Sequence, residues 1–292
     1  MPMRVGIGRC GATRMGHCDN GNVPFTLSHV AAALPMRRSR LILSAVIVGT
    51  MAPDLEYFVR LSPGGGWGHT IAGAFGLSLP LGLAVLWLFH RFAKAPFLAL
   101  LPASLQCRVG SAALRPFPFH GLRRFLWIVL SLLAGIATHL AWDSFTHRRT
   151  WLYLHWNLLR EHVPLPLLHR MHVYTFLQLI SSIAGLAIVL YWIVDWYRNT
   201  PPGPQPLRTV ISRAQKTLIV TLMIALSLAG GVLRGLMRTG FLHKHRMAYA
   251  VTFAGDAVVT MGALLWWQLV AWGVLMGRGI IRPVSESEPT LR

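Results

Sequence analysis

Long apolar runs alternate with short polar or basic stretches along this chain, and their lengths predict its elements. After a polar, Gly-rich opening, PFTLSHVAAALPMRRSR predicts a short helix capped by Thr26 or Ser28. Pro35 and the Arg37, Arg38, Arg40 cluster end it. The apolar stretch from Leu41 to Ala52 is shorter than the ~20 residues of a membrane span and stops at Pro53-Asp54. These two segments predict a short helical hairpin that returns His29 and Asp54 to one level. A Gly-rich loop, 64–68, then delivers His69 to the start of a spanning run in which Pro80 predicts a kink and Arg91 and Lys94 mark the far end. Residues 95–120 are patchily apolar and predict an interfacial segment and loop, and Phe125 to Phe145 crosses back. After a His-rich loop, three more runs follow, Tyr174 to Trp196, Leu218 to Gly235 and Ala248 to Met276.

The fold class predicted is all-α, a multi-pass integral membrane helical bundle with about five to six spanning helices plus the N-terminal short helical hairpin. Residues 1–22 read as a disordered tail or a mis-assigned start, with Val23 as the alternative initiation point. Residues 23–199 form a helical membrane module carrying the candidate site, 200–216 a Pro-rich basic linker, 217–277 a C-terminal helical pair, and 278–292 a disordered tail.

Composition strengthens the membrane reading. The chain is 54% hydrophobic and only 13% charged, against about 25% charged in ordinary globular domains. Its net charge of +19 comes from 28 Lys and Arg against 9 Asp and Glu. Basic loops beside anionic headgroups account for that excess, so membrane lipids are the expected partners. Nucleic acid is not, because no independent basic domain exists to carry it. The 3 cysteines have no C-x-x-C spacing, which argues against a disulfide framework or a zinc ribbon. The larger share of basic residues lies on the side of Arg37 and Arg91, so the positive-inside rule turns the opposite side, with Asp54 and His69, outward from a bacterial cytoplasmic membrane.

With so few carboxylates, each one near a histidine is informative. In GIATHLAWDSFTH, residues 135–147, His139 and Asp143 share one helical face and His147 follows one turn later. Counting crossings places this end of the span on the same side as His29, Asp54 and His69. Imidazole and carboxylate from four segments are the ligand set of zinc and similar divalent metals, and such a site permits metal-assisted hydrolysis. His29, Asp54, His69, His139 and Asp143 are therefore the candidate metal ligands, with His147 and Glu56 as additional ones. Arg148 and Arg149 are candidates for holding an anionic headgroup or for anchoring at the interface. His155, His162, His169 and His172 in the same loop read more simply as headgroup residues. Asp256, inside the last run, needs a partner, and Arg234 or Arg238 is the candidate. Paired histidines inside spans, as a haem site wants, are not the pattern, and no nucleotide-binding or serine-hydrolase motif occurs. The alternative class is a non-enzymatic membrane protein, a transporter or assembly factor, in which these residues hold a structural metal or one another.

At PFTLSH (24–29), MAPDLEYF (51–58), GHT (68–70) and THLAWDSFTH (138–147), the chain resembles a family of bacterial membrane proteins, domain-of-unknown-function family 4184, over about residues 23 to 275. Members of that family typically begin at the PFTLSH motif. The motif set also looks like that of membrane-bound metal-dependent hydrolases and, more remotely, of zinc-dependent phospholipase C and P1 nuclease. That resemblance implies that Asp54, His69, His139 and Asp143 bind one metal, zinc being the expected one, and that His29 shares Asp143 with a second. Position 56 is Glu where the hydrolases carry a second Asp, and the His-x-x-x-Glu that would hold a third zinc is missing. A trinuclear site, and the phosphodiester specificity that goes with it, is therefore not implied.

Overall fold

The computed structural model describes residues 26–63, 66–148, 150–164, 171–203, 211–239 and 246–277. The two predicted tails, Arg149, His169 and the middle of the Pro-rich linker lie outside the described residues. Within them the chain is all-α and forms no strand. Its hairpin pairs a 3-10 segment, Thr26–Ala33, with α1, Leu43–Met51. A 3-10 turn, Ala52–Asp54, leads into α2, Leu55–Arg60. The long helices are α3, Ile71–Leu100, then α5, Leu122–Thr146, α7, Val173–Asn199, α8, Arg213–Thr239, and α9, Arg246–Met276. Two short helices, α4, Ala103–Val109, and α6, Trp151–His155, fill the connections. Among the described residues, five segments are long and apolar enough to cross a membrane, at the lower end of the expected number.

The exposed surface supports the membrane reading independently of length. Ile183 and Leu190 on α7 and Leu218 and Leu226 on α8 all stand more than half exposed. Soluble monomers do not leave so broad an apolar face in water, whereas lipid covers it at no cost.

Close approach of α1 and α5 sets the core. A Cβ on Gly135 would run into the carbonyl oxygen of Val46, and one on Gly49 into that of Leu132. With both side chains reduced to hydrogen the two backbones come together, and Ala45, Val48, Leu86, Ile128 and Leu132 close around them. Ser131 accepts the Ile42 amide at 2.9 Å, which satisfies a donor at the half-buried start of α1. Gly185 lets α7 lie on Ser28 in the same way.

Pro80 interrupts the regular hydrogen bonding of α3 by a specific means. It has no N–H for the carbonyl one turn back, and the helix takes a wide π turn over Ala74–Ser78 just before it. A second π turn, Phe89–Ala93, precedes Pro96. That second turn lets the helix run on to Leu100, where the sequence predicts an interfacial loop.

The C-terminal pair is not detached by the linker. α8 and α9 pack on each other, and α9 also packs on α2 and on the second π turn of α3. Of the two candidate partners for buried Asp256, Arg238 pairs with it, Nε to Oδ2 at 3.2 Å. Arg234 donates instead to the carbonyl of Leu61 at 3.3 Å.

Candidate metal centre

Five side chains from four segments meet above the core of Ala52, Ala74 and Ile136. Asp54 ends the 3-10 turn that follows Met51, with Pro53 in its middle, and its Oδ2 accepts the Thr26 hydroxyl at 2.7 Å. This bond joins the two ends of the hairpin at one level and leaves Oδ1 facing inward, without a hydrogen-bond partner. His69 is presented by a clamped loop. Gly68 N–H donates to Glu56 Oε2 at 3.1 Å, Ser78 Oγ donates to the Gly68 carbonyl at 3.1 Å, and Thr70 caps α3 by accepting Gly73 N–H at 2.9 Å.

His139 and Asp143 sit one turn apart near the end of α5. His139 Nδ1 lies 2.7 Å from the carbonyl oxygen of Thr50. A carbonyl only accepts, so Nδ1 carries a proton and Nε2 is the nitrogen turned to the centre, where it can offer a lone pair to a metal. There it lies 3.1 Å from Asp143 Oδ2, 3.2 Å from His69 Nε2 and 3.7 Å from Asp54 Oδ1. His69 Nε2 lies 3.2 Å from Asp54 Oδ1 and 3.3 Å from Asp143 Oδ2. Ligands bound to a tetrahedral zinc at about 2.0–2.1 Å stand about 3.3 Å from one another, and the separations of His69 from His139, Asp54 and Asp143 and of His139 from Asp143 are of that size.

The second oxygen of Asp143 faces another pair. Oδ1 is 3.5 Å from His29 Nε2 and 3.4 Å from His147 Nδ1, and it too lacks a hydrogen-bond partner. His29 stacks on His139 with ring centroids 4.0 Å apart. Beside this pair, walled by Ser28, Ser181 and Ser182, is a cavity of about 10 Å³, close to the room one water needs. His29, His139 and Asp143 form one group of metal-binding dimensions, and Asp54, His69 and His139 form another.

The electrostatics outside the spans follow from burial and pairing. Burial, then the neighbouring His139, lowers His29 to about 4, so its ring is neutral and able to act as a ligand. Burial also opposes a charge on His69, but pairing with Asp143 and Asp54 outweighs it and holds His69 up at about 10. Burial works against the Asp54 carboxylate as well, yet His69 and His139 keep it below its ordinary range. Burial and the Asp54 carboxylate push the Tyr57 phenol up, so it stays protonated under the His69 ring on which it stacks.

The remaining candidates are placed differently. Glu56 lies outside both metal-sized groups; its carboxylate is occupied by Gly68 N–H and by Arg60 at 3.1 Å. It positions the His69 loop. His147 stands at the rim, about a third exposed, and takes a hydrogen bond from the Gln178 amide at 3.4 Å. The Arg148 guanidinium donates to the Tyr174 hydroxyl and lies over that ring. His155 stacks on Trp151, and His162 pairs with His172, away from the centre. Sequence reading did not single out Thr50, Tyr57 or Gln178. Tyr57 had a signal, since it follows Asp54 by nearly one helical turn. A backbone carbonyl such as that of Thr50 has none.

Fold and site together define an all-helical protein with the apolar spans of a membrane protein and a buried His/Asp cluster able to hold a metal ion. The chain belongs to the domain of unknown function family DUF4184, whose model matches residues 23–274 and so takes in the C-terminal pair with the site-bearing module. No curated protein and no solved structure matches it.

Proposed function

We propose that this chain is a zinc-dependent hydrolase working at a membrane surface on an ester or phosphoester bond of a lipid. One observation carries the reading. His69 Nε2 can direct a single N–H at one acceptor, yet His139 Nε2, Asp54 Oδ1 and Asp143 Oδ2 all lie within 3.3 Å of it. A cation at their centre satisfies all four groups at once. His69, His139, Asp54 and Asp143 would hold the ion, and His29 with the other Asp143 oxygen offers a second position. The motif resemblance to metal-dependent hydrolases agrees with this.

A metal bound there supplies a Lewis acid that activates water and polarises the scissile bond. The protein's own groups do the rest. His147, with the Gln178 amide directed at Nε2, stands at the one-water cavity and is the group to move a proton there. Arg148, held by Tyr174, is the cation beside the site for an anionic headgroup; Arg149, the other candidate, lies outside the described residues. The distribution of the 28 basic residues turns this face outward from a bacterial cytoplasmic membrane.

Metal analysis of the purified chain, wild type beside His139→Ala and Asp143→Ala, tests the proposal. The expected result is about one or two zinc ions per wild-type chain and a clear loss in each variant. Near-zero metal in all three after metal-replete expression would remove it. With metal present, a screen of lipid esters and phosphoesters follows, and turnover must fall in the variants.

A second reading, a transporter or assembly factor without catalysis, has its own observation. His69 keeps a proton between two carboxylates until about pH 10, so a proton can neutralise part of the cluster without a metal. Retained zinc together with metal-dependent turnover decides against this reading.

A further inference from the structure

The hairpin that carries His29 and Asp54 does not cross the bilayer, and its tip carries arginines. Its depth follows from one bond. Ser131 Oγ accepts Ile42 N–H at 2.9 Å, which fixes the inner end of α1 against α5. At about 1.5 Å per residue, Ser131 lies about 18 Å along α5 from Asp143 and about 10 Å from Arg124 at the opposite end. With the metal centre near one surface of a hydrocarbon layer about 30 Å thick, Ile42 already lies past the midplane, and the hairpin tip beyond it lies beside Tyr191 and Trp192 toward the far headgroups.

Arg37 and Arg38 stand exposed at this tip. Among the described residues the arginine ion pairs are Arg60 with Glu56 and Arg238 with Asp256, so neither tip arginine has a carboxylate partner. A guanidinium at the edge of the hydrocarbon layer requires an anion or water. Beside them the hairpin leans on α7 and leaves an open groove of about 500 Å³ whose walls include Leu34, Ile188, Tyr191 and Trp192. Tyr191 is 73% exposed and Ile188 49%. Two unpaired guanidinium groups at one end and an apolar, aromatic wall along the side match a phosphate joined to acyl chains.

We propose that this groove is a binding site for one anionic phospholipid of the leaflet opposite the metal centre, its phosphate on Arg37 and Arg38 and an acyl chain along Leu34, Ile188 and Trp192. Guanidinium forks recognise phosphate bidentately. A zwitterionic lipid is disfavoured because its quaternary ammonium meets the same two positive charges. The lipid completes a hairpin that spans only part of the bilayer, and it does so apart from the chemistry at the metal centre.

The test uses the full-length chain in detergent, titrated with dioleoylphosphatidylglycerol or dioleoylphosphatidylcholine and read by native mass spectrometry. The wild type is expected to retain one phosphatidylglycerol at least ~10-fold more tightly than phosphatidylcholine. Arg37→Gln with Arg38→Gln should reduce that preference to none. Ile188→Trp, which fills the groove at an exposed position and keeps both arginines, should also abolish retention. Equal retention of the two lipids by the wild type, or a preference that survives both variants, overturns the proposal. So does thermal stabilisation by 10 mM inorganic phosphate without lipid that equals the effect of phosphatidylglycerol, since the site would then take a free anion.

Discussion

Adding one methyl group at Gly135 should disturb the metal centre without touching a ligand. In Gly135→Ala the new Cβ would strike the Val46 carbonyl and lie 2.6 Å from Thr50 N and 2.8 Å from Gly49 C, whereas ordinary contact begins at 3.4 Å. The colliding atoms are backbone, so α1 has to withdraw from α5 by about 1 Å. Thr50 travels with α1, and its carbonyl is the acceptor that holds His139 Nδ1 at 2.7 Å. The same withdrawal stretches that bond to about 3.7 Å, past the outer limit for a hydrogen bond. Overpacking of this kind costs about 1–3 kcal/mol, and loss of a partner behind a ligating histidine weakens metal binding about 10- to 100-fold. Thermal unfolding in detergent and zinc competition against a chromophoric chelator measure the two effects. Gly230→Ala is the matched control, because its Cβ would meet the flexible end of Leu264 and no backbone. Wild-type zinc affinity in a Gly135→Ala protein of lowered stability would refute the link between helix contact and ligand orientation, and unchanged stability would refute the close contact itself.

Further outcomes follow from the site and its surroundings. His69, raised to about 10 from an ordinary 6.5, stabilises the metal-free fold fully below pH 6.5 and loses that contribution as pH rises toward 10. His29, lowered to about 4, acts oppositely, its contribution present above pH 6.5 and lost as pH falls toward 4. Unfolding of the metal-free chain against pH should therefore show two falling limbs. Zinc displaces the His69 proton, so loading should flatten the alkaline limb, and an unchanged limb would count against His69 as a ligand. Glu56→Gln keeps an acceptor for Gly68 N–H and should leave zinc content within about twofold of wild type; loss of zinc would make Glu56 a ligand. Arg238→Met strands the buried Asp256 carboxylate and should cost about 1–3 kcal/mol, discounted because the guanidinium is half exposed. Adding Asp256→Leu should recover most of that loss in the same melt.

Some of this organisation is readable from residue order. Apolar run length gives the spans, and counting their crossings brings His29, Asp54, His69, His139 and Asp143 to one level, because a bilayer leaves each helix end only two places to be. Readings that depend on how groups are oriented were less accessible. Glu56 has the chemistry of a ligand, but its carboxylate is occupied by the Gly68 amide and Arg60, and the Gly68 contact joins residues twelve apart that meet only in the folded chain. Thr50 acts through its carbonyl, which every residue possesses, so sequence gives no sign of its role. The extension of α3 past Pro96 depends on a π turn whose cause is a missing N–H, and proline there equally announces a loop.

The candidate ligands fall between His29 and Asp143, in the first half of the chain. During synthesis, the hairpin, the His69 loop and the end of α5 are all available before α8 and α9 have been made. The centre can thus close as an early folding event, with the last two helices arriving afterwards to brace a finished site through Arg234 and the Leu61 carbonyl. Zinc capture by nascent chains of increasing length would then mark the moment at which α5 has inserted.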